Sequence, residues 1–125
     1  MIFQKMTVPK IPIPSYRIRM SSPVDSIVAV IVRSINPEKI ILFGSRGTDD
    51  ARDDSDYDVC VIKSGVSHRR RCAMKLYEAL TRVGVPVDII VETPEGYEEL
   101  KENPYLVYSE IEKNGKVIYE RSSSG

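Results

Sequence analysis

Three acids and a glycine–serine pair carry the chemical signal in this chain. Asp56 and Asp58 stand two residues apart at the start of an apolar run. In a strand, both carboxylates project from one face, with Cα atoms about 6.5–7 Å apart. Like charges so placed repel, and two divalent cations about 3.5–4 Å apart would both neutralise them and be held by them, an arrangement used for in-line phosphoryl or nucleotidyl transfer. Hard oxygen donors favour magnesium. Alone, the pair reads as a solvated loop, because Asp49, Asp50, Asp53 and Asp54 are acidic too. An EF-hand is rejected: counted from Asp54, Val59 falls where the sharp-turn glycine belongs and Gly65 where the bidentate glutamate belongs.

Asp88 adds a third acid. It interrupts Val85, Val87, Ile89, Ile90 and Val91, where an unpaired buried carboxylate would cost several kcal/mol, roughly. It therefore needs either an arginine from a neighbouring helix or a metal shared with Asp56 and Asp58. Gly44 and Ser45, directly after another apolar run, offer backbone N–H groups to an anion, since a glycine permits close approach of a phosphate.

The elements that must position these groups are legible. Ser22, Pro23 and Asp25 start a helix in which Val24, Ile27, Val28, Ile31, Val32 and Ile35 recur on one face, and Asn36 with Pro37 ends it. Residues 39–43 and 57–63 read as strands joined by a polar stretch too short for a crossover helix, hence an antiparallel return. A helix is expected over 67–83, with Ala73, Leu76, Leu80 and Val83 inward and Arg69, Arg70, Arg71 and Lys75 mostly solvated. A third strand covers 85–92, Thr93–Pro94 cap one short helix, Asn103–Pro104 cap another, and 116–120 form an edge strand. The expected class is α+β, a mixed sheet with helices mainly on one face. The acid-bearing face turns apolar at Cys60, Ile62 and Ile90, and a second chain is favoured over a helix as its cover.

Composition sets outer bounds. With 125 residues, 42% hydrophobic and 29% charged, the chain suits one globular domain, here residues 21–120 between an extended proline-bearing arm (1–20) and a small-residue tail (121–125). Eighteen basic and 18 acidic side chains give no overall field for a polyanion, so direct nucleic-acid binding is not expected. The first residues lack the apolar stretch of a secretory signal, no run is long enough to span a membrane, and the two cysteines read as reduced thiols, which together point to the cytoplasm.

Gly44-Ser45, ten intervening residues, Asp56-Tyr57-Asp58 and a later Asp88 together resemble the DNA polymerase β-like nucleotidyltransferase superfamily. Leu42-Phe43-Gly44-Ser45 and the Tyr119-Glu120 ending are most similar to its minimal nucleotidyltransferase group, over about residues 21–120. The resemblance implies a palm-like fold, ATP as substrate and two magnesium ions. It implies that Gly44, Ser45 and Arg46 bind the nucleotide and that Asp56, Asp58 and Asp88 are the catalytic, metal-binding residues. It further implies transfer of AMP to a hydroxyl of a partner protein, a tyrosine of a helical HEPN-type toxin, within a toxin–antitoxin pair. The chain departs from the group at Thr48 and Asp49, where a second arginine and glycine are usual. That departure supports a competing reading, a non-catalytic antitoxin that neutralises its partner by covering it. A third reading is small-molecule modification by a homodimer.

Overall fold

The computed structural model describes residues 22–47 and 56–122. The proposed arm, Thr48, Asp49 and most of the acidic loop lie outside them. Helix α1 (Pro23–Ile35) begins where the Ser22 hydroxyl accepts the Asp25 N–H at 3.1 Å, and ends at Asn36, whose backbone turns left-handed at φ 49°. Its apolar stripe buries Ile27 and Ile31.

Strand β1 (Lys39–Phe43) leads into a 3-10 turn, Gly44–Gly47, and β2 (Tyr57–Ile62) returns antiparallel to it. Helix α2 (Arg69–Leu80), with a short 3-10 extension over Thr81–Val83, carries the chain across to β3 (Val87–Glu92). Such a crossover allows β3 to lie parallel to β2. Helices α3 (Pro94–Leu100) and α4 (Val107–Asn114) then lead to β4 (Lys116–Glu120), antiparallel to β1. The sheet order is β3-β2-β1-β4, so β3 and β4 are its edges.

The two longer helices cover one face. Ile27, Ile31, Leu76 and Leu80 meet Ile40, Leu42, Tyr57, Val59, Val61, Ile89 and Val91 there. On the other face Tyr97 of α3 and Ile111 of α4 pack over Ile41, Cys60 and Ile62, with Ile90 and Tyr108 alongside. The apolar continuation of the acid-bearing face is thus covered by this chain's own short helices, not by a second chain. Two aromatic rings, Tyr97 and Tyr108, meet edge to face at 6.0 Å and fill that smaller core.

Several boundaries differ from expectation, the largest at the starts of α4, α2 and β3. Thr93 does cap α3, accepting the Gly96 N–H at 3.0 Å. Asn103 does not cap α4. Its Oδ1 accepts the Tyr105 N–H at 2.9 Å, closing a local turn, and Leu106 is still extended, so the helix starts only at Val107. Strand β3 begins at Val87 rather than Val85, after the left-handed Gly84. Both cysteines are free, Cys60 fully buried and Cys72 partly so. Among the described residues no helix is long and apolar enough to cross a membrane.

Candidate functional site

Parallel pairing of β2 with β3 sets Asp58 directly opposite Asp88, between the pairs Tyr57–Val87 and Val59–Ile89. Side chains at matched positions of adjacent strands share a face, and adjacent strands lie about 4.8 Å apart. Asp56 precedes β2 by one residue and is exposed. The third neighbour is the turn after β1: Phe43 pairs with Asp58, which puts Gly44 against the carboxylate. A Cβ on residue 44 would stand 2.3 Å from Asp58 Oδ2, and the residue also holds φ +69°. Glycine meets both demands without strain or a shift of the carboxylate, and bare backbone therefore borders the acid. Gly47 closes the turn, where a Cβ would come within 2.8 Å of the Leu42 carbonyl.

Burial pushes the Asp58 carboxyl above its ordinary range, and the charges of Asp88 and Asp56 push it further. Asp58 thus senses both of the other acids. The donor set is entirely hard oxygen, the kind that suits magnesium. Among the described residues, however, no three His, Cys, Asp or Glu side chains stand together as a group that could hold a metal ion. Asp58 and Asp88 are the pair the register brings together, and a cation between them would relieve their repulsion. Asp88 itself is exposed, so the desolvation argued for it from sequence applies instead to Asp58 and to Glu92.

Glu92 was not foreseen as a key residue. It lies on the same face as Asp88, at the far end of β3, and is only 2% exposed. Arg69 Nη1 donates to both of its carboxylate oxygens, at 2.8 and 2.9 Å, the Tyr108 hydroxyl donates at 3.0 Å, and the Thr93 N–H at 3.1 Å. The arginine partner considered for Asp88 is thus given to Glu92 instead. Arg69 consequently serves the end of the sheet opposite the aspartates, away from any triphosphate they would bind. The available signal was an acid four residues beyond Asp88 within an apolar strand, with an arginine opening the preceding helix. Burial and then the bond to Glu92 hold the Tyr108 hydroxyl up at about 12. Burial, followed by the Glu92 charge, likewise pushes the Cys60 thiol to about 12, which leaves it an inert core group.

Arg46 leaves the turn towards the opposite face, its guanidinium 4.2 Å from the centre of the Tyr57 ring. Ser45 is half-buried beside it and Gly44 is exposed. The three residues expected to bind nucleotide therefore share one turn next to Asp58, with the Arg46 side chain partly engaged by an aromatic ring.

Comparison with solved structures gives the same architecture. A protein from Sulfolobus solfataricus, assigned as a nucleotidyltransferase, superposes with a TM-score of 0.58 at 23% identity, covering 86% of each chain. A chain from a toxin–antitoxin structure with AMP-PNP superposes with a TM-score of 0.51 at 22% identity, covering 78% of this chain and 73% of that one. Comparison with curated proteins returns no match. The family described as Polymerase beta, Nucleotidyltransferase matches residues 25–124, a span that takes in the Gly44 turn and all three aspartates. By that match, and by the strand order that sets Asp58 against Asp88, this chain belongs to the polymerase beta nucleotidyltransferase family.

Proposed function

We propose that this protein is a magnesium-dependent nucleotidyltransferase that moves AMP from ATP to a tyrosine hydroxyl of a partner protein, acting in the cytoplasm as the antitoxin of a HEPN-type toxin. One observation carries the reading: Asp58 and Asp88 are register partners beside a turn whose glycine holds a left-handed backbone against the Asp58 carboxylate. Asp56, Asp58 and Asp88 would hold two magnesium ions, whose chemistry is to neutralise charge on the attacking and leaving oxygens. The N–H groups of Gly44 and Ser45, with Arg46 nearby, orient the triphosphate. Asp88, exposed at the rim, takes the proton of the acceptor hydroxyl. A new ester bond to the α-phosphorus forms as the bond to pyrophosphate breaks. Similarity to a chain of a toxin–antitoxin structure with AMP-PNP supports both the nucleotide and the kind of partner.

Purified protein, labelled ATP, magnesium and the product of the adjacent gene make the test. Label should pass to that product, and the Asp56→Ala, Asp58→Ala double variant should label it at least about 10²-fold more slowly. Equal labelling by the double variant refutes the mechanism. The departure at Thr48 and Asp49 favours one rival, an antitoxin that works by binding alone. Full neutralisation by the double variant, without nucleotide, would select that rival.

A further inference from the structure

The chain is neutral overall, but its charge is segregated. Residues 63–82 hold six bases, Lys63, Arg69, Arg70, Arg71, Lys75 and Arg82, against one acid, Glu78. Residues 92–112 hold seven acids against one base, Lys101. These stretches build different surfaces. The inner side of α2 is spent on the core through Leu76 and Leu80. Its outer side carries Arg71, Met74, Lys75 and Glu78 at the spacing i, i+3, i+4, i+7, and with Arg70 these line an open depression of about 980 Å³. Met74 is 64% exposed at its centre. Arg69 is committed to Glu92, whereas Arg70, Arg71 and Lys75 form no ion pair among the described residues.

Across the sheet, Glu95, Glu98, Glu99 and Glu102 repeat the same spacing along α3 and the turn after it, all exposed. Lys101, the base among them, is engaged by Glu98 at 2.9 Å and Glu112 at 3.8 Å. Next in the chain come Tyr105, 93% exposed, and the open side chains of Leu106 and Val107.

We propose that the basic outer face of α2 is the docking surface for the acidic α3–α4 run of a second copy of this chain. The charges are complementary, and each surface adds an exposed apolar group, a flexible thioether on one and a tyrosine ring on the other, a pair that attracts. Because α2 and α3 pack on opposite faces of the sheet, the two surfaces satisfy each other between molecules. Patches on opposite faces cannot both meet one partner, so the contact is head-to-tail. Glu78 at the end of the basic stripe opposes any long uniform polyanion, which favours a bounded protein segment over nucleic acid.

Sedimentation velocity of the full chain across salt concentrations tests this. Association is expected at about 0.05 M salt and should weaken at least about tenfold at about 1 M, where exposed charges are screened. Arg71→Glu with Lys75→Glu should sediment as a monomer, and so should Glu99→Lys with Glu102→Lys. An equimolar mixture of the two should associate again, since each reversed surface meets its complement. All four sites are exposed, so the variants should fold, which circular dichroism checks. A wild-type chain that stays monomeric at low salt overturns the proposal. So does association that survives either charge reversal, or a mixture that fails to recover it. Homopolymer RNA bound through Arg71 and Lys75 by a chain that does not self-associate overturns it in favour of a nucleic-acid surface.

Discussion

Asp58 is the residue on which opposing demands fall. Its carboxyl is raised by burial and by acidic neighbours, so the folded state binds that proton more tightly than the unfolded chain. Its stabilising share is therefore present below the unfolded value, near 3.8, and is lost as pH rises through the folded value. At neutral pH without divalent cations, Asp58→Asn should raise the melting temperature by about 2–4 °C. Magnesium should stabilise the wild type and leave this variant largely unmoved, as a thermal melt will show. Gly44 makes the opposite prediction. An alanine there meets Asp58 Oδ2 and takes on a left-handed backbone, so Gly44→Ala should lose about 1–3 kcal/mol in chemical denaturation. Nucleotidyl transfer should fall along with it. The acids and the glycine–serine pair were legible from residue type and spacing. That the glycine is fixed by the aspartate was not, because Phe43 and Asp58 become neighbours only through the antiparallel register.

Elements here are tied together by a few polar anchors. Glu92 joins the end of β3 to α2 through Arg69 and to α4 through Tyr108. Arg69→Met would leave that carboxylate buried without its cation, a loss of about 3 kcal/mol in urea denaturation, reduced from the fully buried case because Arg69 is half-exposed. A second anchor fastens β1 to the turn after β2 and to the end of β4. Glu38 accepts from the Ser64 N–H at 2.9 Å and from the Ser64 hydroxyl, and pairs with Arg121 at 3.2 Å. Partial burial pushes the Glu38 carboxyl up, but the Ser64 bonds and the charges of Arg121 and Lys63 outweigh it and hold it below 4.5. Its contribution is present above the unfolded value and is lost as pH falls through the folded one. Glu38→Gln should thus lower stability by about 0.5–1 kcal/mol at pH 7 and converge with wild type in acid. Helices and strands with clear periodicity or caps were readable. The start of α4 was not, because Asn103 signals a helix cap and a local turn with the same side chain.

Across the whole molecule, the sheet is a plate with the aspartates at one end and anchors at the other. The N-terminal ends of β2 and β3 present the aspartates, whereas their C-terminal ends lead to Glu92, Arg69 and the basic face of α2. Neutrality of the full sequence concealed this polarity, since a sum of charges carries no position. The cover over Cys60 and Ile62 was hidden for a related reason: α3 and α4 are too short for periodicity to show which face they bury. β3 ends the sheet on the side of the aspartates, and its Ile89 N–H, pointing away from β2, is taken by the Tyr77 hydroxyl at 2.9 Å. A phenol seated on that rim works as a doorstop. It denies an incoming polypeptide the backbone donor through which it would lengthen the sheet, so strangers are turned away one residue from Asp88.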